Sequence, residues 1–371
     1  MDFDFSDDQV QLRDAVRRWV DKGYGFERRK TVVAAGGFDR AAYNELAELG
    51  LCGLYVADDH GGLGMGPVEG MVVMEELGRG IVLEPLAQTL VASGVLGGYA
   101  GADLQAEWLP RIASGEALVV LAHQERGLRY TLGAAHTRAT PQGAGWVLSG
   151  RKSVVPAGDE ADAWLVPAQT DQGLALFLVA NGAAGSQASG YLTQDGGRAA
   201  EVSFNDSPAQ LVTRDGQTAL EHAADIGIAA SCAYAIGVMD QTVAVTADYL
   251  NTRKQFGVPI SSFQALRHRI ADMKMQLELA RSMSYYASLK LNTPTEERRQ
   301  ALARAKVQLG QSLRFVGQQA VQLHGGIGVT DEYIVSHYFK TLTQLEMTWG
   351  DTLHHLGEVS ARMQDTAGVF A

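Results

Sequence analysis

Cysteine is scarce in this sequence of 371 residues, which contains only Cys52 and Cys232. The two cysteines lie far apart in the chain and in apolar surroundings. We therefore expect no disulfide framework, and we predict a reducing location, the cytoplasm. No cysteine and histidine spacing typical of zinc ligands occurs, so the sequence predicts no metal site.

Positive charge is limited as well, because 31 Lys and Arg stand against 42 Asp and Glu, a formal net charge of −11. Phosphate neutralisation needs clustered basic residues, so binding to nucleic acid is not predicted. An anionic ligand such as a CoA ester can still bind to a local basic patch, since nearby charges dominate the field at a site.

Uninterrupted apolar runs of membrane-spanning length are also missing, and we expect no transmembrane helix and no membrane partner. Residues 1–5 are acidic and lack the basic start of a secretory signal, which predicts that no such signal is present. No G-x-G-x-x-G motif follows a strand-like run, which argues against a classical dinucleotide-binding fold.

The sequence is predicted to be mainly α with a central β domain. Residues 1–117 have helical periodicity, beginning with a capping-box pattern at Ser6 and Gln9. Residues 118–214 form short β-like runs between turns, which predicts an antiparallel barrel or sandwich. Residues 215–371 return to apolar spacings of three and four, which predicts a C-terminal four-helix bundle.

Residues 253–257, Arg-Lys-Gln-Phe-Gly, follow a long helical pattern and have groups that a nucleotide diphosphate needs. The guanidinium of Arg253 can donate two hydrogen bonds to phosphate oxygens. The amide of Gln255 and the ring of Phe256 lie next to it in the chain. Taken alone, this stretch is also typical of an ordinary helix end.

A second stretch, residues 322–328, reads Gln-Leu-His-Gly-Gly-Ile-Gly and ends another helical pattern. Gly325 and Gly326 lack side chains, so a flat ligand can approach bare backbone amides there. A pair of glycines after a helix is also typical of a simple cap. His324, just before them, is expected to shape the turn.

With both stretches in order behind a helical front and a β-like middle, the chain resembles the acyl-CoA dehydrogenase family of flavoenzymes over essentially its whole length. The resemblance implies FAD as cofactor and an acyl-CoA substrate. It also implies that six residues hold the adenosine pyrophosphate half of a FAD bound mainly by a neighbouring subunit: Arg253, Gln255, Phe256, Gln322, Gly325 and Gly326.

In that family a carboxylate removes the α-proton of the substrate while the flavin takes hydride from Cβ. The resemblance puts the usual glutamate at Trp349 or Gly350, and a second family position at Gly227. None of these residues can accept a proton, so the catalytic residue is unassigned. Three carboxylates lie near these positions as displaced candidates: Asp225, Glu346 and Asp351.

The stretches that resemble the flavin-ring contacts of the family are altered too. They are residues 122–129 and 152–156, with Val154 in place of a tryptophan and Pro156, which has no N–H, in place of a hydroxyl residue. Arg126 and Arg129 have two interpretations, as contacts to CoA phosphates or as an ordinary exposed pair.

The chain thus keeps the residues for a neighbour's FAD and lacks those of a complete active site. It resembles the small, non-catalytic subunit of heteromeric members such as pimeloyl-CoA dehydrogenase. The resemblance implies a homologous catalytic partner, an α2β2 assembly and electron-transfer flavoprotein or a similar acceptor. Two alternatives stay open: a self-sufficient homo-oligomer with a displaced carboxylate, and an acyl-CoA binding module without redox turnover.

Overall fold

The computed structural model describes residues 5–134, 136–143 and 145–366. The chain separates into two compact units. The first unit is built from residues 1–29, 67–82 and 228–371, and the second from residues 30–66 and 83–227. The domain boundaries near residues 117 and 214 that the sequence indicates stay predictions.

Helices lie on both sides, in sequence, of a run of strands. The helices are α1 (Asp7–Gly23), α2 (Phe26–Ala34), α3 (Arg40–Glu48), α4 (Pro67–Arg79), α5 (Leu86–Tyr99), α6 (Ala102–Ala113), α7 (Gly216–Thr252), α8 (Gln264–Lys290), α9 (Thr295–His324), α10 (Ile334–Met347) and α11 (Thr352–Thr366). The strands are β1 (Val119–Leu121), β2 (Arg138–Gln142), β3 (Gly145–Pro156), β4 (Ala163–Thr170), β5 (Gly173–Ala180), β6 (Ser186–Leu192), β7 (Arg198–Thr213), β8 (Lys254–Gln255) and β9 (Val258–Pro259). This order confirms the predicted fold class.

In the first unit, α1 begins with the capping box that the sequence predicts. The hydroxyl of Ser6 accepts the backbone N–H of Gln9 at 3.2 Å, and the Gln9 side chain accepts the N–H of Ser6 at 3.0 Å. These two bonds satisfy donors that a helix start leaves free. Val16 and Val20 on the inner face of α1 are buried, and α1 packs against α4.

The C-terminal helices of the first unit pack around α9, which contacts α8, α10 and α11. Residues predicted at helical spacing are buried along the facing sides of α8 and α9. They include Met273, Leu277, Leu302, Leu309 and Leu313. Burial of such an apolar stripe is the main contribution that stabilises an amphipathic helix.

Helix α7 has 37 residues and is long and apolar enough to span a membrane by length and composition, which the sequence analysis did not anticipate. Its apolar window is 67% buried inside the structure, as is common for the core helix of a globular domain. Small residues let its C-terminal half approach α4 closely. A Cβ added at Gly237 would lie 1.8 Å from the carbonyl oxygen of Glu75.

The strands of the second unit form a small barrel. Pairing runs β4–β2–β3–β7–β5 and returns from β5 to β4, while β1 joins β4 and β6 joins β7. Most pairs are antiparallel, as predicted, but β1 and β2 run parallel to β4. The interior contains Trp164 and Phe177, both fully buried.

Candidate functional site

The Arg-Lys-Gln-Phe-Gly stretch forms a short hairpin at the end of α7. The N–H of Arg253 donates to the carbonyl of Tyr249 at 2.8 Å, and strands β8 and β9 pair across the turn. Phe256 and Gly257 lie at the tip with φ of 53° and 81°. Two successive positive φ angles are typical of a type I′ hairpin turn, which Gly257 adopts freely and Phe256 only under strain.

This hairpin presents its functional groups to solvent. The side chain of Phe256 is 91% exposed and touches only the edge of the Phe263 ring among the ring contacts of the described residues, at 6.2 Å between centroids. Arg253 and Gln255 are exposed as well. No carboxylate in the described ranges forms an ion pair with Arg253, so its guanidinium is available to an anionic ligand.

The second stretch forms a turn at the end of α9. Gly325 adopts φ 64° and ψ −141°, which a residue with a side chain rarely adopts. A Cβ built on Gly325 or Gly326 would meet no atom within 4 Å, so the space above both glycines is open. Gln322 lies one turn earlier and is exposed. The turn therefore offers bare backbone next to a side-chain amide.

The structure brings the two stretches together within the first unit. The hydroxyl of Tyr249, four residues before Arg253, donates to the carbonyl of His324 at 3.3 Å. The rings of Tyr249 and His324 stack with centroids 4.4 Å apart. The hairpin base thus lies directly against the residue that precedes Gly325.

These residues fit one end of a dinucleotide. An unpaired guanidinium, two exposed amides, an exposed aromatic ring and an open backbone turn match a pyrophosphate and a flat base in chemistry. Arg253, Phe256 and the turn at Gly325 and Gly326 are the groups that would hold FAD.

Neither residue at the usual position of the base can act as one. Trp349 and Gly350 lie between α10 and α11 with φ of 61° and 111°. The carbonyl of Trp349 accepts a hydrogen bond from Nε2 of His355 at 2.9 Å. Gly350 is buried, and a Cβ added there would lie 2.6 Å from the same Nε2 atom. Little room exists there for a longer side chain.

The two carboxylates beside this position are engaged in starting α11. Oδ1 of Asp351 accepts the N–H of His354 at 2.8 Å. Oε1 of Glu346 accepts the N–H of Thr352 at 3.0 Å and its hydroxyl at 2.6 Å. Carboxylates at a helix N-terminus satisfy free N–H groups and oppose the helix dipole. Their contacts are those of helix caps.

The remaining predicted positions, Gly227 and Asp225, lie inside α7 and belong to the second unit. Both are buried, and Asp225 is only 1% exposed.

A buried lysine, which sequence reasoning missed, fastens the segment between α10 and α11. Nζ of Lys306 donates to the carbonyls of Thr348 at 2.7 Å and Leu345 at 3.0 Å. Burial lowers the pKa of Lys306. Burial and the charge of Lys306 also lower the pKa of His355, to about 3. The signal for Lys306 was its position beside Ala305 on the apolar stripe of α9.

In the second unit, the two stretches compared with flavin-ring contacts are joined by a buried ion pair that the sequence analysis did not predict. Nζ of Lys152 donates to Oε1 of Glu125 at 2.8 Å and to the carbonyl of Pro167 at 2.8 Å. Glu125 also accepts the N–H groups of His136 and Thr137. Both charged side chains are almost fully buried.

The pair shifts the titration of both partners. Burial raises the pKa of Glu125, but hydrogen bonds from Lys152 and Thr137 outweigh it and lower the value to about 2. Burial lowers the pKa of Lys152 to about 8, although Glu125 opposes the shift. Glu125 is thus a structural anion at neutral pH.

Val154 lies at a bulge of β3, with φ 52° and its side chain 45% exposed. Pro156, at the end of the same strand, offers no N–H to a ligand. Arg126 lies 3.7 Å from Glu201, so it belongs to an exposed ion pair. Arg129 lies over the ring of Tyr130 at 5.3 Å.

The helical, β and helical order, together with the dinucleotide-like site, defines a flavoenzyme of the acyl-CoA dehydrogenase type. Residues 6–116 match the family model described as acyl-CoA dehydrogenase, N-terminal domain, and residues 214–363 match the C-terminal domain of the same family. The chain belongs to the acyl-CoA dehydrogenase family, whose members are oxidoreductases acting on the CH–CH bond of acyl-CoA. Membership supports FAD as the cofactor.

Several known proteins are similar over nearly their whole length. Acyl-CoA dehydrogenase FadE27 of Mycobacterium tuberculosis is 28% identical over 338 residues, which is 89% of each chain. A chain of the ChsE4-ChsE5 complex from Mycobacterium tuberculosis is 27% identical with a TM-score of 0.90, covering 99% of this chain and 100% of that one. The Tcur3481-Tcur3483 steroid ACAD is 29% identical with a TM-score of 0.89, covering 97% and 98%.

Proposed function

We propose that this chain is the subunit without a catalytic base in a heteromeric, FAD-dependent acyl-CoA dehydrogenase, and that it completes the FAD site of a homologous catalytic subunit. One asymmetry within the first unit carries the proposal. Arg253 and the turn at Gly325 and Gly326 are exposed and open. Asp351 and Glu346, the carboxylates nearest the usual base position, are occupied as helix caps.

The side chains of the hairpin would act on the phosphate end of the cofactor. When bound, FAD supplies a hydride acceptor, and a carboxylate of the catalytic subunit takes the α-proton. Arg253 neutralises pyrophosphate charge and donates two coplanar hydrogen bonds. The ring of Phe256 covers a flat base, and the open turn at Gly325 lets the ligand reach backbone amides.

Exposure of Phe256 supports assembly with a second chain. A phenylalanine that is 91% exposed at a hairpin tip leaves a large apolar area in water, and association with a partner would remove it. The titles of two similar structures name two chains each, ChsE4-ChsE5 and Tcur3481-Tcur3483. We propose an α2β2 assembly in the cytoplasm, with electron-transfer flavoprotein or a similar acceptor.

The substrate of the assembly is proposed to be an acyl-CoA thioester. One similar structure is named a steroid ACAD, so CoA thioesters of steroid side chains are the first to screen. The sequence resemblance to the small subunit of pimeloyl-CoA dehydrogenase makes a dicarboxylic acyl-CoA the second.

Co-purification with a homologous catalytic chain tests the proposal. The Arg253→Ala complex should bind FAD about 10- to 100-fold more weakly, since a charged hydrogen bond contributes about 1.5–3 kcal/mol. Arg304→Ala, which removes an exposed arginine of α9, is the matched control and should leave FAD affinity unchanged. Equal affinity of the Arg253→Ala and wild-type complexes contradicts the proposal, as does an isolated chain that binds flavin stoichiometrically and oxidises an acyl-CoA unaided.

A further inference from the structure

Three aromatic side chains lie where the hairpin after α7 meets the glycine turn after α9. Tyr249 and His324 stack at 4.4 Å between centroids with an interplanar angle of 29°. The ring of Tyr333, from the turn before α10, lies 5.3 Å from His324 and 6.3 Å from Tyr249. All three belong to the first unit, and none has been assigned a role above.

Tyr249 contacts both stretches beside their exposed groups. Its carbonyl accepts the N–H of Arg253 at 2.8 Å, which holds the first residue of the hairpin to the last turn of α7. Its hydroxyl donates to the carbonyl of His324 at 3.3 Å, and Gly325 follows directly. One residue therefore connects the backbone of the arginine to the backbone of the glycine turn.

His324 is fixed in one orientation. Its side chain belongs to a residue that is only 4% exposed, and its Nδ1 lies 2.8 Å from the carbonyl of Ala320. A carbonyl can only accept, so Nδ1 carries the proton and donates. Nε2 is buried and has no hydrogen-bond partner among the described residues. The ring is therefore neutral and held flat against Tyr249.

We propose that Tyr249 and His324 are positioning residues that set the separation between Arg253 and the Gly325–Gly326 turn, so that both reach one dinucleotide. This inference rests on the proposed function. A stacked pair with one hydrogen bond from each ring restricts both backbones at once. Binding groups need placement within about 0.5 Å of the productive geometry, and neither the exposed hairpin nor the open turn has other packing to supply it.

The experiment measures FAD affinity of the co-purified complex for Tyr249→Leu, Tyr249→Phe and Arg253→Ala, with thermal unfolding of the flavin-free complex recorded beside it. Tyr249→Leu removes the stack and is expected to weaken FAD binding about tenfold. Tyr249→Phe keeps the ring and should retain affinity within about threefold of wild type. This rescue separates positioning from loss of hydroxyl chemistry.

A double variant shows whether Tyr249 acts through Arg253. Positioning predicts that Arg253→Ala with Tyr249→Leu loses less affinity than the product of the two single losses, because the arginine to be positioned is already gone. A multiplicative loss, or a Tyr249→Leu variant whose unfolding temperature falls while FAD affinity is unchanged, contradicts the inference. If Tyr249→Leu does not fold, His324→Leu replaces it with the same expectations.

The two hypotheses fail differently. If Arg253→Ala weakens FAD binding and neither Tyr249→Leu nor His324→Leu does, the positioning role is wrong and the proposed function stands. If none of the three variants changes FAD affinity, the proposed function itself is wrong.

Discussion

Nζ of Lys306, in the middle of α9, lies 2.7 Å from the carbonyl oxygen of Thr348, just past the end of α10. The same nitrogen donates to the carbonyl of Leu345 at 3.0 Å. The last carbonyls of a helix have no partner within it, and a cation there also opposes the helix dipole. Lys306 therefore closes α10 and fixes the segment in which relatives are expected to have their base.

Replacement of Lys306 by Met should lower stability. The methionine fills similar space but leaves the carbonyls of Leu345 and Thr348 without a donor, at a cost of about 1–3 kcal/mol. The check is the urea midpoint at pH 7 with an unchanged slope. Arg304→Met, an exposed position of the same helix, is the control and should unfold near the wild-type midpoint. An unchanged midpoint for Lys306→Met would show that water satisfies these carbonyls.

Gly350→Ala should destabilise the chain, whereas Gly97→Ala should stabilise it. Gly350 has φ 111°, and a Cβ there would lie 2.6 Å from Nε2 of His355 and 2.7 Å from Cδ2 of His354. We expect a cost of about 1–3 kcal/mol. Gly97 lies within α5 with open space around it, and alanine there should add about 0.5–1 kcal/mol. Thermal unfolding of the two variants should shift in opposite directions, and a tolerated Gly350→Ala would mean that this segment can rearrange.

Periodicity and local chemistry made much of the fold predictable. The capping box at Ser6 and Gln9 needs only residues three apart, and buried residues of α9 follow from spacings of three and four. The sequence did not reveal the parallel pairing of β1 with β4, because both strands read as short apolar runs whatever the direction of their neighbours. The apolar length of α7 was likewise underestimated, since its small residues dilute the pattern.

The candidate site was only partly predictable for a similar reason. Arg253 and Gly325 could be identified because each lies in a short motif that resembles a family pattern. Their joint placement depends on the contact of Tyr249 with His324, which are 75 residues apart in the chain. The engagement of Glu346 in a helix cap also depends on tertiary packing, so counting along the sequence could not distinguish it from a displaced base.

The buried pair of Lys152 and Glu125 should be costly to break from one side. Lys152→Met leaves an uncompensated buried carboxylate, and such a loss typically costs about 3–5 kcal/mol. Lys152→Met with Glu125→Gln should recover part of this, because the amide oxygen still accepts from His136 and Thr137 without a charge. A double-mutant cycle of urea unfolding measures the coupling.

The matched control for this pair is Lys274→Met, which breaks an exposed i,i+4 pair with Glu278. Exposed pairs of this kind contribute only about 0.3–0.5 kcal/mol. Similar losses for Lys152→Met and Lys274→Met would mean that water reaches the interior pair and screens it.

Acid should destabilise the chain partly through His355, which is 5% exposed and donates from Nε2 to the carbonyl of Trp349 at 2.9 Å. Burial and the nearby charge of Lys306 lower its pKa from 6.5 to about 3 in the folded state. Between these values the unfolded chain binds the proton and the folded chain does not. Stability contributed by the neutral ring is therefore full above pH 6.5 and is lost as pH falls towards 3, at about 1.4 kcal/mol per pH unit.

His355→Gln should flatten this dependence. Glutamine can still donate to the carbonyl of Trp349 but does not titrate, so the free energy of unfolding should fall less steeply than in the wild type between pH 6.5 and 4.5. Urea unfolding at pH 6.5, 5.5 and 4.5 measures the slope, and His268→Gln, on the exposed face of α8, should keep the wild-type slope. A His355→Gln slope equal to that of wild type would show that His355 is protonated without cost. Lys306 and His355 would then not share the desolvated environment that keeps the Trp349 segment rigid.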